Sequence, residues 1–393
     1  MVNFAYEKII FGGIGRNTYG KNSKVNQKGI LEKGKDVGRH FVENIWMVHK
    51  GLREIPFWFK RNGIEVNIIT LEDALKSDDE FIHYFQPKAY FIFHDDLSPK
   101  NKFLYLSTEL VEAINNRQCK FIIWDQESQP HNQENSDILS EELKDAMIIP
   151  DNVIYITNNV QQKYQSDFKV IVWEYWESFI SHQSKLENIK PKKKNAKKFM
   201  SLNLRPTDER IYFIRKMWEN GILDQFNVSL GKVEGDDDFA KSTPYNFDDF
   251  SNVPWEYRSY KKIAFLFPLH QQESYLYIVT ETDYNPPLST SQHMFTEKTW
   301  KPIAMKMPFI TIGQPRTLRL LRELGYKTFP WDESYDEITD PDKRMAAIID
   351  LVVYLNSRND FVELIESCED IVNHNFDLLK TRRPETDMIR ALS

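Results

Sequence analysis

Two charged residues open a candidate helix in the stretch MFTEKTWKPIAMKMPFITIG, residues 294–313. Thr296 has the side chain of an N-cap, which places Glu297 and Lys298 in the first turn. An acid is ordinary there, because the first turn exposes unpaired backbone N–H groups and the positive end of the helix dipole. A lysine is electrostatically misplaced at that end. A phosphate bound at the helix start would resolve the conflict by taking the N–H groups and the ammonium together. Lys301 lies three residues on and extends the same face. Pro302 removes a backbone donor, so a kink or an irregular first turn is expected.

Other stretches offer weaker chemistry. The segments HDD (94–96), GDDDF (235–239) and FDDF (247–250) hold acid pairs, and two acids after a strand can hold Mg²⁺ beside a diphosphate. HDD ends a candidate strand and is the best of the three. The glycine loop FGGIGRNTYGKN (11–22) fails as a dinucleotide fingerprint. Gly12, Gly13 and Gly15 are followed by Arg16, Asn17 and Thr18, with no third glycine opening a helix.

The elements that must position these residues alternate along the chain. KIIFGGIG (8–15), EVNIIT (65–70), AYFIFHDD (89–96), KFIIWDQE (120–127) and NVIYIT (152–157) read as short buried strands, with helical spacing at 38–62 and 103–117. The pattern restarts with a strand at 198–204, a helix at 207–221 stopped by Gly221, and strands at FNVSLG, KIAFLFPL, 274–282 and 308–313. A helix follows over 314–325, with Pro315 near its start and Gly325 after its end. The remainder from about residue 340 is mainly helical, and 233–260 reads as a long acidic loop. Strands alternating with helices predict an α/β fold with mostly parallel sheets. The lysine-rich segment KLENIKPKKKNAKK is the expected linker (185–198). It divides an N-terminal domain (1–184) from a C-terminal one (199–393), two αβα domains with a cleft between their strand ends. Lys192, Lys193 and Lys194 are read either as solvated linker or as a strip that touches phosphate.

Bulk composition is consistent with this. The chain has 393 residues, 41% hydrophobic and 28% charged, which suits two globular domains. A net charge of −7 gives no global pull toward a polyanion. Cys119 and Cys368 are the only cysteines, which argues against a disulfide scaffold and fits a reducing compartment. No apolar run reaches membrane-spanning length and no signal peptide is evident, so a cytoplasmic protein is expected.

At this point the sequence resembles a known family. YIVTETDYNPPLSTSQHMFTEKTWKPIAMKMPFITIG has a strand ending in an acid, a polar loop, an aromatic-Thr-Glu-Lys block on a helix, and a strand closing in Gly. This is similar to the donor site of α-1,3-fucosyltransferase-like glycosyltransferases. KKFMSLNLRPTDERIYFIRKM (197–217) resembles that family's strand-loop-helix segment, with Asn203 after the strand and Arg210 as the diphosphate-gripping arginine. FIIWDQESQPHNQ (121–133) resembles its acceptor segment, with one residue inserted before Pro130. The match covers about a fifth of the chain. The fuller pattern through residue 329 also looks like proteins of large bacteriophages, so the donor sugar does not carry over from the family.

The resemblance implies two Rossmann-like domains of the GT-B type and an inverting, metal-independent transfer from a nucleotide-sugar, with no further cofactor. Glu297 would accept hydrogen bonds from a ribose diol, and Lys298 and Arg210 would neutralise the departing diphosphate. Arg205 is a second candidate for that task, and Asn203, Thr296 and Lys301 complete the donor set. Arg210 on an exposed helix face could instead pair with Asp208 or Glu209. Glu127 would deprotonate the acceptor hydroxyl, in competition with Asp125 and His131. With Lys298 and Arg210 available, the reading without a metal is preferred. The acceptor is expected to be a glycan or small molecule. The alternatives are hydroxymethylated pyrimidines in phage DNA, within a host cytoplasm, and a non-enzymatic nucleotide-binding scaffold.

Overall fold

The computed structural model describes residues 1–6, 55–85, 103, 106–125, 133–158, 165–183, 192, 194–203, 206–230, 271–282, 284, 293–331 and 335–393. The chain divides into two compact units. Unit 1 holds Met1–Tyr175, Ser289–Met294 and Pro384–Ser393, and unit 2 holds Trp176–Leu288 and Phe295–Arg383. Each is an α/β unit with a parallel sheet, as Rossmann-like folds are.

Unit 1 contains strands β1 Val2–Tyr6, β2 Val66–Thr70, β3 Phe81–Phe85, β4 Cys119–Asp125, β5 Val153–Thr157 and β6 Lys169–Val172. They form one sheet in the order β2-β1-β3-β4-β5-β6, with every pair parallel. Helices α1 Ile55–Arg61, α2 Leu71–Leu75, α3 Thr108–Asn115 and α4 Gln133–Asp145 connect them. The central strands are buried on both faces: Phe121, Ile122, Ile123 and Trp124 of β4 are all enclosed. Ser107 caps α3 by accepting from the Leu110 N–H. Strand order reverses between β1 and β3, and the residues after both strand ends lie outside the described ones.

Unit 2 begins with most of α5, Tyr175–Gln183. Its strands are β7 Lys197–Leu202, β8 Phe226–Ser229, β9 Ser274–Thr280 and β10 Phe309–Ile312, and its helices α6 Asp208–Glu219, α7 Glu297–Ala304, α8 Thr317–Glu323, α9 Pro341–Ser357, α10 Phe361–Glu366 and α11 Glu369–Thr381. The sheet order is β10-β9-β7-β8, again all parallel. Helix α6 packs with α9, and α7 packs with β9 and α11. Gly221 and Gly325 terminate α6 and α8 in the left-handed region, at φ +68° and +95°. In each case the next N–H reaches back into the last turn: Ile222 to the Met217 carbonyl and Tyr326 to that of Leu321.

The structure departs from several expectations. The last helix, α12 Glu385–Leu392, belongs with unit 1 rather than with the C-terminal domain. It buries Met388, Ile389 and Leu392 and packs on α1 and β6. The Lys120 ammonium donates to the Leu392 carbonyl at 3.0 Å and that of Lys169 to the Ala391 carbonyl at 3.3 Å, closing its C-terminal end. The division into units also falls ahead of the lysine-rich segment, whose described lysines are partly engaged in unit 2. Lys192 donates to the Gln271 carbonyl at 2.5 Å, Lys197 to that of Phe226 at 2.9 Å and Lys198 to that of Asn356. Burial pulls the Lys192 ammonium down to about 8. Lys193, the glycine loop 11–22, the expected strands at 8–15, 89–96 and KIAFLFPL, and the acidic loop 233–260 lie outside the described residues. No helix among the described residues is long and apolar enough to cross a membrane.

Candidate functional site

In unit 2, β8 lies to one side of β7 and β9 to the other, so strand order reverses between β7 and β9. Crossover connections leaving in opposite directions open a crevice outside the carboxyl ends of such strands. The residues at those ends and at the adjoining helix starts make the candidate site.

Asn203 follows β7 and is buried. Its backbone N–H continues the ladder to the Ser229 carbonyl at 2.9 Å, and its side-chain amide donates to Ser201 Oγ at 3.1 Å. Arg210 sits in the first turn of α6, in phase with Phe213, Ile214 and Met217 on the buried face. The expected exposed position is therefore corrected: Arg210 is 6% exposed, and its Nη2 donates to the Thr280 carbonyl at the end of β9, at 3.3 Å. Its phase on the helix thus turns it toward the end of β9.

Glu281 follows β9 immediately and was given no role by the sequence argument. Its carboxylate caps α7 from across the crevice. It accepts from the Thr299 N–H at 3.1 Å, from the Thr299 hydroxyl at 2.5 Å, from the Thr296 hydroxyl, and from the Thr282 N–H at 3.3 Å. Thr296 is the N-cap, as expected, and accepts from the Lys298 N–H at 3.3 Å. Part of the helix start expected to hold a ligand phosphate thus already holds a carboxylate of the protein.

The Lys298 ammonium has three partners: Glu297 Oε1 at 2.9 Å, Thr282 Oγ1 at 3.0 Å and Thr296 Oγ1 at 3.3 Å. The electrostatic conflict read from the sequence is therefore met within the protein. Burial pushes the Glu297 carboxyl up, but Lys298 and Lys301 outweigh it and hold it below the ordinary carboxylate range. Lys301 is 5% exposed, and burial pulls its ammonium down to about 8 against the attraction of Glu297. The buried Tyr277 hydroxyl on β9 is pushed well above its ordinary range, chiefly by burial, with Glu297 adding and Arg210 opposing.

Pro302 neither ends nor interrupts α7, which runs two residues beyond it. Lys306, at φ 51°, then takes the left-handed position more often given to glycine, and the Met307 N–H bonds the Pro302 carbonyl at 2.9 Å. A second organiser is Arg344 of α9. Its guanidinium donates to the carbonyls of Gly313, Tyr284 and Ile338 at 3.1, 2.8 and 2.7 Å, joining the segments that leave β10 and β9. Gly313 is needed for close approach, since a Cβ there would lie 3.1 Å from Thr311 Cγ2 and 3.5 Å from Glu281 Cβ.

Of the expected residues, Thr296, Glu297 and Lys298 are joined by direct contacts at the start of α7, with Lys301 three residues further along that helix, while Arg210 bonds the end of β9 and Asn203 follows β7. Glu127, His131 and Arg205 lie outside the described residues, as do all three acid pairs. Asp125 ends β4 opposite Thr157. Among the described residues no cluster of three or more His, Cys, Asp or Glu is arranged to hold a metal. Chemically, the start of α7 offers a lysine ammonium and a carboxylate side by side, and the end of β9 an arginine guanidinium. No protein-family model matches the chain, and no curated protein matches it.

Proposed function

We propose that this protein is a glycosyltransferase that takes a sugar from a nucleotide-sugar and passes it to an acceptor hydroxyl. The observation that supports the reading is that Arg210, from α6, bonds the Thr280 carbonyl at the end of β9, next to the Glu281 that caps α7 with its Glu297 and Lys298, beside the reversal point of the unit 2 sheet. Cations drawn from two helices at such a point suit a diphosphate, and a carboxylate beside them suits a ribose diol. In the transfer step the bond between the anomeric carbon and the diphosphate oxygen breaks as the acceptor oxygen attacks. Arg210 and Lys298 stabilise the charge that builds on the diphosphate. The resemblance of these residues to the fucosyltransferase-like donor site supports an inverting transfer without a metal in a GT-B arrangement, with Glu127 as base and Asn203 and Arg205 in support.

The test is a thermal-shift screen with GDP-, UDP-, ADP- and CMP-linked sugars, followed by transfer assays on glycans and on hydroxymethylated DNA. Stabilisation by one nucleotide class is expected, about 2.7 kcal/mol at a hundredfold excess over Kd. Turnover with glycan or DNA identifies the acceptor class. Binding without turnover on any acceptor would reassign the site to a nucleotide-binding scaffold, and no response to any nucleotide would refute the proposal.

A further inference from the structure

The hydrogen bonds around Glu281 have a fixed direction. A carboxylate offers only acceptors, so the single hydrogen of the Thr296 hydroxyl is turned to Glu281. Both lone pairs of that hydroxyl then face Lys298, one toward its N–H and one toward its ammonium. The ammonium directs its three hydrogens to Thr296, Thr282 and Glu297. Glu281 also takes the Thr282 N–H, so it holds both hydroxyl-bearing residues that hold the ammonium. Glu281 is 5% exposed, and both of its carboxylate oxygens are held by hydrogen bonds from its neighbours.

We propose that Glu281 is the positioning residue of the site: it sets the polarity of the hydrogen bonds around Lys298 and thereby presents the ammonium to a nucleoside diphosphate. This inference rests on the donor-site reading for its ligand, although the orientation of Lys298 can be measured without one. Glu281→Gln keeps size and shape but replaces one acceptor with an NH₂ donor. Turned toward Thr299, that donor meets the Thr299 N–H. Turned toward Thr296, it meets the Thr282 N–H and forces the hydroxyl to accept, which removes a lone pair from Lys298. Neither orientation preserves the arrangement.

The experiment uses the full chain labelled with ¹⁵N-lysine, with the Lys298 ammonium signal assigned by its loss in Lys298→Met. Wild type should show a Lys298 ammonium protected from solvent exchange. That signal should vanish in Glu281→Gln and in Thr296→Val, which breaks the same link and leaves the carboxylate in place. In parallel, affinity for GDP, UDP and ADP is measured. The nucleotide that binds wild type should bind Glu281→Gln at least tenfold more weakly, with the far-ultraviolet spectrum retained. An unprotected ammonium in wild type, or an unchanged one in folded Glu281→Gln or Thr296→Val, would overturn the inference. If no nucleotide binds wild type, the donor reading fails while the ammonium signal still decides the role of Glu281. If one binds both proteins equally, the positioning role fails and the donor reading stands.

Discussion

Replacing Lys301 with methionine perturbs the crevice at a cation that is only 5% exposed. Burial lowers its ammonium from the ordinary 10.5 to about 8, even with the attraction of Glu297 acting the other way. At about 1.36 kcal/mol per pH unit, the charged form costs the folded state about 3 kcal/mol relative to a neutral side chain in the same place. Methionine keeps the length and apolar contacts of the lysine stem. It also removes one of the two cations that keep Glu297 ionised. The expected net gain at pH 7 is therefore about 1–3 kcal/mol. On the proposed donor reading, affinity for the nucleotide should fall at the same time, because one cation of the site is gone.

The sign of the pH dependence is a second handle. Below pH 8 both folded and unfolded chains carry the proton, so the cost is constant. Between about 8 and 10.5 the folded protein has released it and the unfolded chain has not, so stability rises with pH through this window. Lys192 moves in the same direction over the same window, so the variant should keep about half of the rise. Urea unfolding read from hydrogen exchange of the α7 amides reports unit 2 by itself, which matters in a chain of two units. Destabilisation of Lys301→Met at pH 7, with the alkaline rise undiminished, would refute the reasoning.

Three further substitutions test separate parts of the structure. Arg382→Ala removes the guanidinium from Glu177, a fully buried carboxylate that also accepts from the Tyr326 hydroxyl at 2.6 Å. A loss of about 3 kcal/mol is expected in urea unfolding, and a loss below about 1 would show that the pair is not structural. Gly221→Ala meets no atom within 4 Å, so only the φ of +68° opposes it, and the expected loss is about 1 kcal/mol. Lys298→Ala should leave the melting temperature within a few degrees of wild type while lowering turnover at least tenfold. Matching losses in both would make Lys298 a helix-start residue and nothing more.

Local signals in the sequence were legible where chemistry and geometry coincide within a few residues. The Thr296 cap, the stops at Gly221 and Gly325, and strands β2, β4, β5, β7, β8, β9 and β10 follow from side-chain type and period. β1, β3 and β6 carry weaker signals: each is a run of only four or five residues, His83 interrupts FIHYF, and longer apolar runs stand close to β1 and β3. For Arg210 the phase with Phe213, Ile214 and Met217 already favours the buried face over the exposed alternative. Glu281 was beyond local reasoning. It lies 15 residues before Thr296, and the two meet only because the end of β9 and the start of the next helix converge.

The charge balance of the crevice explains why its groups are partnered. Among the described residues it holds Arg210, Lys298 and Lys301 against Glu281 and Glu297. Three largely buried cations without counter-charges would be too costly to keep ionised, so two carboxylates hold them in place. On the proposed donor reading, a diphosphate entering this set would compete with Glu297 for the Lys298 ammonium. Glu297 would yield, because the ribose diol would offer it donors in exchange. Glu281 cannot yield in the same way, since the Thr299 N–H and hydroxyl would be left facing each other without an acceptor. On that reading the two acids would divide the work: Glu297 would exchange partners with the ligand, and Glu281 would keep the helix start fixed while that exchange takes place.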